Sequence, residues 1–152
     1  MSACRSLMFQ PSVPVVTTIN GGFSNDRMVY ICGTPRYGAQ RFTINLQERD
    51  DPNPGDIGLH FDVRINAGGV RDVVVRNNCE GGSWGIEERD TPYFPFRSNE
   101  KFYLIIHATW DKYIISVNNQ PFVHFRLRGG PLHKYSVINV KGDIDLTEVS
   151  YQ

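Results

Sequence analysis

Hydrophobic and polar residues alternate along many short segments of this chain, and clusters of glycine, proline, asparagine and aspartate separate the segments. A period of two is typical of a β-strand with one face in a core, and we find no long amphipathic helical pattern. The pattern predicts eleven strands: Pro14–Ile19, Met28–Gly33, Arg41–Gln47, Ile57–Asn66, Asp72–Asn77, Gly82–Glu87, Lys101–Thr109, Tyr113–Val117, Gln120–Arg126, Ser136–Lys141 and Asp145–Tyr151.

Eleven short strands are too many for one open, twisted sheet, so two packed antiparallel sheets are expected. The predicted fold class is all-β, a sandwich or barrel, and residues 1–152 suit one domain with a sizeable core. The alternation predicts an inner face formed by Phe102, Leu104, Ile106 and Ala108 beside Tyr113, Ile115 and Val117.

The segment His60-Phe-Asp-Val-Arg64 combines a polar face with an apolar one. Because alternate side chains of a strand share a face, His60, Asp62 and Arg64 project together, opposite Phe61, Val63 and Ile65. Further along the chain come Asn77, Trp84, Glu87 and Arg89. One face of a sugar ring is largely C–H and its rim carries hydroxyls, so a flat indole beside fixed hydrogen-bonding groups suits it. The pattern predicts a carbohydrate-binding surface.

Trp84 and Glu87 are three positions apart, so a straight strand would place them on opposite faces. Both can reach one ligand only if the chain bends between them. Gly85 is expected to supply the backbone freedom for that bend.

The composition narrows the classes of partner. Sixteen basic and sixteen acidic residues cancel, so bulk charge indicates neither a nucleic-acid nor a membrane-surface partner. No apolar run approaches the roughly 20 residues of a membrane span, and the start lacks the apolar stretch of about 7–15 residues that a signal peptide needs. Cys4, Cys32 and Cys79 are odd in number and scattered, which fits a reducing compartment. We therefore expect synthesis in the cytosol, and we place Cys79 in a loop next to the candidate site.

The stretch from His60 to Arg89 resembles the signature of the galectin family of β-galactoside-binding lectins, which runs H-x-N-x-R, then V-x-N, then W-G-x-E-x-R. The positions that match in type and order are His60, Arg64, Asn77, Trp84, Glu87 and Arg89. Asp62 departs from the family's usual Asn, and Val63 from a common Pro. The resemblance covers essentially the whole chain. It implies a jelly-roll sandwich, a calcium-independent lectin, and export from the cell without a signal peptide.

The resemblance also implies a role for each site residue. Trp84 would stack on the C–H face of galactose, and His60 and Arg64 would bond its axial 4-hydroxyl. Asn77 and Glu87 would take the 6-hydroxyl, and Glu87 with the two arginines would contact an adjoining glucose or N-acetylglucosamine. Glu87 is expected to hold the guanidinium groups of Arg64 and Arg89 in place before the ligand arrives.

Asp62 keeps the acceptor that an Asn would offer, loses the amide donor and brings a negative charge next to His60 and Arg64. It is expected to pair with Arg64 and to compete with the sugar for it. Galactose binding with altered strength and a lectin with shifted preference both stay open, and a galectin-like interaction protein that has lost sugar binding is the main alternative. Because Glu87 can hold Arg64, replacing Asp62 by Asn is expected to raise galactoside affinity.

An enzyme is a weaker hypothesis. A glycosidase would need Glu87 with Asp62 or Glu88 as a carboxylate pair, one member of which stays protonated. Neighbouring arginines favour the ionised form of Glu87, which is wrong for a general acid. No group of residues has metal-ligand spacing, so neither a metal nor a cofactor is expected.

The expected partners are glycans and glycoproteins that carry β-galactosides. One open groove predicts a Kd on the order of 10–1,000 μM, so useful avidity needs several sites at once. The sequence leaves open whether a homodimer or a tandem domain supplies them.

Overall fold

The computed structural model of the protein describes residues 6–50, 52–66 and 72–152, and two six-stranded antiparallel sheets form within them. The strands are β1 Ser6–Phe9, β2 Val15–Thr18, β3 Met28–Pro35, β4 Arg41–Gln47, β5 Ile57–Arg64, β6 Val73–Glu80, β7 Ser83–Trp84, β8 Phe102–Ala108, β9 Lys112–Val117, β10 Gln120–Arg126, β11 Val137–Gly142 and β12 Ile144–Tyr151. A short 3₁₀ turn at Leu132–Lys134 precedes β11.

The chain crosses repeatedly between the two sheets. The first sheet has the strand order β1-β12-β3-β8-β9-β10, and the second has the order β2-β11-β4-β5-β6-β7. Strands that are neighbours in a sheet are therefore often distant in sequence. This arrangement confirms the expected sandwich of two antiparallel sheets.

The core lies between the inner faces of the two sheets. The inner face predicted for β8 and β9 is confirmed, since Phe102, Leu104, Ile106, Ala108, Tyr113, Ile115 and Val117 are all buried. The second sheet contributes the alternate residues of β4 and β5: Phe42, Ile44, Leu46, Leu59, Phe61 and Val63. Phe96 joins the two layers, with its ring centroid 5.0 Å from that of Phe102 and 6.1 Å from that of Phe61. Burying each such side chain contributes about 1.5–3 kcal/mol to the free energy of folding. Because these apolar side chains of β5 face the core, its polar side chains face outward.

Three sequence predictions need correction. The strand predicted at Gly82–Glu87 is only the two-residue β7, after which Glu88 forms an isolated bridge with Arg76. Strand β1 was not predicted, because it is an edge strand whose residues are mostly exposed and show no alternation. Cys79 is not in a loop, as predicted, but lies in β6 opposite Trp84, where it is buried.

The described thiols are free. Cys32 and Cys79 are both buried and unpaired with sulfur, and burial raises the pKa of each. Cys4 lies outside the described residues. In the parts of the chain that the structure describes, no helix is long and apolar enough to span a membrane.

Candidate functional site

Strand register places polar side chains in rows across the outer face of the second sheet. Asn139 of β11, Asn45 of β4, His60 of β5 and Asn77 of β6 are successive cross-strand partners. In the next row Thr43 lies opposite Asp62. The polar face that the sequence predicted for β5 is thus the middle of a wider polar surface, and the β4 residues were missed because β4 carries no family motif.

His60 is oriented by Asn45. Its Nδ1 lies 2.7 Å from Oδ1 of Asn45. Because a carbonyl oxygen only accepts, Nδ1 carries the hydrogen, and in the Nδ1–H tautomer Nε2 is an acceptor. Nε2 is 3.8 Å from Oδ2 of Asp62. The exposed edge of His60 can therefore accept a hydrogen bond from a hydroxyl.

Asp62 has no exposed surface and is bound by two arginines. Arg41 donates from Nε and Nη2 to its two oxygens at 2.8 and 3.0 Å, and Arg64 donates from Nε to Oδ2 at 3.0 Å. Burial alone would raise the pKa of Asp62, but the hydrogen bonds and the charge of Arg41 outweigh this effect and hold the pKa at about 2. The expected pairing of Asp62 with Arg64 is present, whereas the pairing with Arg41 was not foreseen.

Asn77 is almost fully used by neighbouring groups. Its Oδ1 accepts from the backbone N–H of Asn78 at 2.8 Å and from Nη1 of Arg128 at 3.0 Å. Its Nδ2 donates to the carbonyl oxygen of Gly85 at 3.0 Å. Arg128, two residues beyond β10, lies far from the motif in sequence and was missed.

Trp84 supplies an apolar platform at the edge of the polar surface. Trp84 is 53% exposed, and its ring centroid is 4.8 Å from that of His60 at an interplanar angle of 55°. An indole this open contributes little to the core, so its face is available to a ligand.

Gly85 turns the chain after Trp84 for a reason other than the expected one. Its φ is not positive, so it does not use the left-handed freedom of glycine. A Cβ there would clash with Oδ1 of Asn78 and would lie 2.9 Å from Nη1 of Arg128. Glycine is required because these groups occupy the space of a side chain.

Glu87 pairs with only one of the two arginines predicted for it. Nη2 of Arg89 is 2.7 Å from Oε2 of Glu87, and both side chains are about half exposed, so the pair stabilises the fold by little. Within the described residues the ion pair of Arg64 is with Asp62 instead. The expectation that Glu87 anchors Arg64 is therefore wrong.

Most of these residues line one groove of about 320 Å³. Its walls are Arg41, His60, Arg64, Val75, Asn77, Trp84, Gly85 and Glu87. Asp62 lies beneath Arg64 and Arg89 holds Glu87 from the side, so these two act through residues that line the groove. A neighbouring groove of about 510 Å³ shares Arg41, His60 and Trp84 and continues over β4 and β11. No cluster of three or more potential metal ligands occurs in residues 6–50, 52–66 and 72–152.

The chain is similar to known galactoside-binding proteins over almost its whole length. The family model described as galactoside-binding lectin matches residues 14–151. Galectin-4 of Rattus norvegicus is 35% identical over 142 residues, which are 93% of this chain and 41% of that protein. The 32 kDa beta-galactoside-binding lectin of Haemonchus contortus is 36% identical over 140 residues, 92% of this chain and 46% of that protein. The chain thus spans less than half the length of these curated relatives.

Solved structures agree with these matches. A Caenorhabditis elegans galectin superposes with a TM-score of 0.83 at 30% identity, covering 97% of this chain and 96% of its own. Sheep galectin-11, in complex with glycerol, superposes with a TM-score of 0.79 at 25% identity, covering 91% of this chain and 97% of its own. Galectins are lectins and not enzymes, which sets the glycosidase hypothesis aside. The matched residues and the shared two-sheet fold show that this chain belongs to the galectin family of galactoside-binding lectins.

Proposed function

We propose that this chain is a calcium-independent lectin that binds β-galactosides of the lactose and N-acetyllactosamine type in the groove of about 320 Å³. The observation that carries the proposal is the half-exposed indole of Trp84 next to the ring edge of His60. A galactose ring can place its C–H face on the indole while its hydroxyls meet the polar row of β5.

The polar side chains of β5 are suited to bind the 4-hydroxyl of galactose. In the proposed complex it donates to Nε2 of His60, which Asn45 keeps as an acceptor, and it accepts from a guanidinium N–H of Arg64 that Asp62 leaves unused. Because Asp62 already accepts hydrogen bonds from Arg41 on both oxygens and from Arg64 on Oδ2, its contribution is to hold Arg64. The equatorial 4-hydroxyl of glucose would leave His60 and Arg64 without these bonds, which supports selectivity for galactose.

The remaining groove residues suit the rest of the disaccharide. Asn77 retains one Nδ2 hydrogen for the galactose 6-hydroxyl, and Glu87 accepts from the same hydroxyl. The pair of Glu87 and Arg89 lies at the open side of the groove, where the second sugar would bind.

We further propose that residues 1–152 form one carbohydrate-recognition domain, and that a dimer or a second domain supplies valency. The longer curated relatives motivate the second option. The proposed partners are galactoside-bearing glycoproteins, reached by export without a signal peptide. The family match does not favour the alternative of lost sugar binding.

Retention on immobilised lactose tests the proposal. The protein should be retained in a buffer that contains a metal chelator, and free lactose should release it whereas sucrose should not. Passage through the column without retention contradicts the proposed function. Retention that disappears when the chelator is added contradicts calcium independence.

A further inference from the structure

We propose that Arg128 is a positioning residue of the sugar site. It orients the side-chain amide of Asn77 so that Asn77 can only donate a hydrogen bond to the galactose 6-hydroxyl. This inference rests on the proposed function. Arg128 does not line the groove of about 320 Å³; it approaches Asn77 from behind, from the end of β10 in the other sheet.

The hydrogen bonds of the Asn77 side chain leave one free atom for a ligand. A carboxamide has two acceptor positions on its oxygen and two N–H donors. Both acceptor positions of Oδ1 are used, by the backbone of Asn78 and by Arg128, and one N–H is used by Gly85. The fourth position, an Nδ2 hydrogen, is the one that a ligand oxygen can use.

Arg128 adds to the cost of the reverse orientation of the Asn77 amide. If the Asn77 amide were flipped, its NH₂ group would face the donors of Arg128 and of the Asn78 backbone, and its oxygen would face the carbonyl of Gly85. Each of these contacts would leave polar groups unpaired at a residue that is only 4% exposed, and an unmade buried hydrogen bond costs about 1–3 kcal/mol.

Arg128 is itself held rigidly. Its Nη2 donates to Oε2 of Glu88 at 2.7 Å, its guanidinium carbon lies 4.7 Å from the ring centroid of Phe125, and its side chain is 24% exposed. Its Nη1 also donates to Oδ1 of Asn78 at 3.0 Å. The backbone of Glu88 is in turn bonded in both directions to Arg76 of β6. A planar fork with three fixed partners orients the amide in a way that a flexible ammonium would not.

The absence of a side chain at residue 85 is needed for the contact between Arg128 and Asn77. The guanidinium of Arg128 reaches Asn77 and Asn78 through space that a Cβ at Gly85 would occupy. The motif glycine and the distant arginine are therefore linked by geometry, although the sequence gives no spacing that connects them.

The test compares lactose with 6′-deoxylactose, which lacks the galactose 6-hydroxyl, by calorimetric titration. The wild-type protein should prefer lactose by about tenfold, the size expected for a hydrogen bond to a partly buried donor. Arg128→Met should reduce that preference to about twofold while leaving the affinity for 6′-deoxylactose nearly unchanged. Asn77→Ala should reduce it similarly, and adding Arg128→Met to Asn77→Ala should change it no further.

Arg126→Met is the matched control, because Arg126 is an exposed cation two residues away whose ion-pair partner is Asp111; it should keep the full preference. If Arg128→Met does not fold, Arg128→Lys carries the same comparison, since it keeps the charge and loses the fork. An equal loss of affinity for both sugars would show a merely structural role and overturn the inference. Absence of lactose binding by the wild-type protein would instead contradict the proposed function.

Discussion

Arg41 and Asp62 form a two-point ion pair across the neighbouring strands β4 and β5, with N–O distances of 2.8 and 3.0 Å. The aspartate replaces the Asn that the galectin signature carries, and it brings a charge into a candidate site whose other polar motif positions match the signature. Arg41 offsets that charge from one side and Arg64 from the other. The departure from the family pattern is thus accommodated by a residue outside the motif.

Replacing Asp62 by Asn should lower the affinity for lactose by about three- to tenfold, or roughly 1 kcal/mol. The opposite expectation from the sequence assumed that Glu87 anchors Arg64, but in the structure Asp62 is the anchor. An Asn keeps one acceptor oxygen and loses the charge, so it holds the Arg64 side chain less strongly. The free-energy gap between the anchored rotamer of Arg64 and its other rotamers becomes smaller, and the guanidinium is less ordered.

Lactose titration into both proteins in one buffer measures this change, with Asp145→Asn as the control. Asp145 also pairs with an arginine, Arg36, but it is 75% exposed and lies in the first sheet. A rise in affinity in Asp62→Asn would contradict the anchoring role. Binding in Asp62→Asn with none in the wild-type protein would support the interaction protein that has lost sugar binding.

The pKa of Asp62, held at about 2, predicts how stability depends on pH. Because the folded-state pKa lies below the unfolded value of about 3.9, the ionised carboxylate stabilises the fold fully above about pH 5. That contribution is lost as the pH falls from about 4 towards 2, and its size is about 2 kcal/mol. Denaturant unfolding of the wild-type protein and of Asp62→Asn should show a stability difference that shrinks over this interval. A difference that stays constant from pH 5 to pH 2 would show that Asp62 is not held ionised by its neighbours.

The sequence predicted those features of the fold that repeat along a strand. Burial alternates along β8 and β9, and polar and apolar side chains alternate from Leu59 to Arg64 in β5. The inner faces and the shared projection of His60, Asp62 and Arg64 could therefore be inferred without coordinates. β1 is an exposed edge strand, and β7 is too short to alternate. Periodicity therefore carries no signal for either strand.

The neighbours of the candidate site residues could be predicted where they are local in sequence, and not where they depend on register between distant strands. The motif names the positions of His60, Asp62 and Asn77. The pairing of β4 with β5 brings Asn45 to His60 and Arg41 to Asp62, and the packing of the two sheets brings Arg128 to Asn77. The wrong partner for Arg64 has the same origin. Charge spacing allows several ion pairs, and only the fold decides which arginine reaches which carboxylate.

Replacing Trp84 by Ala should abolish measurable lactose binding and change the free energy of unfolding by no more than about 1 kcal/mol. The indole is 53% exposed, so little buried surface is lost. Trp110→Ala is the matched control, since Trp110 is 77% exposed in the turn after β8; it should bind lactose like the wild-type protein. Unfolding or aggregation of Trp84→Ala alone would mean that Trp84 supports the core, and the site assignment would then be wrong.

Replacing Asn45 by Ala should weaken lactose binding by about three- to tenfold, because His60 loses the acceptor that keeps the hydrogen on Nδ1. The other tautomer would direct an N–H from Nε2 towards the ligand, and the 4-hydroxyl would then meet donors on both His60 and Arg64. Nitrogen-15 chemical shifts of the His60 ring report the tautomer directly and should move in this variant.

Thr43→Val is the control on the same strand and face, since Oγ1 of Thr43 is buried without a hydrogen-bond partner in the described part of the chain. It should leave the ring shifts of His60 unchanged. Weakened binding in Asn45→Ala with unchanged His60 shifts would mean that Asn45 acts on the ligand by another route, and the assigned acceptor role of Nε2 would have to be abandoned.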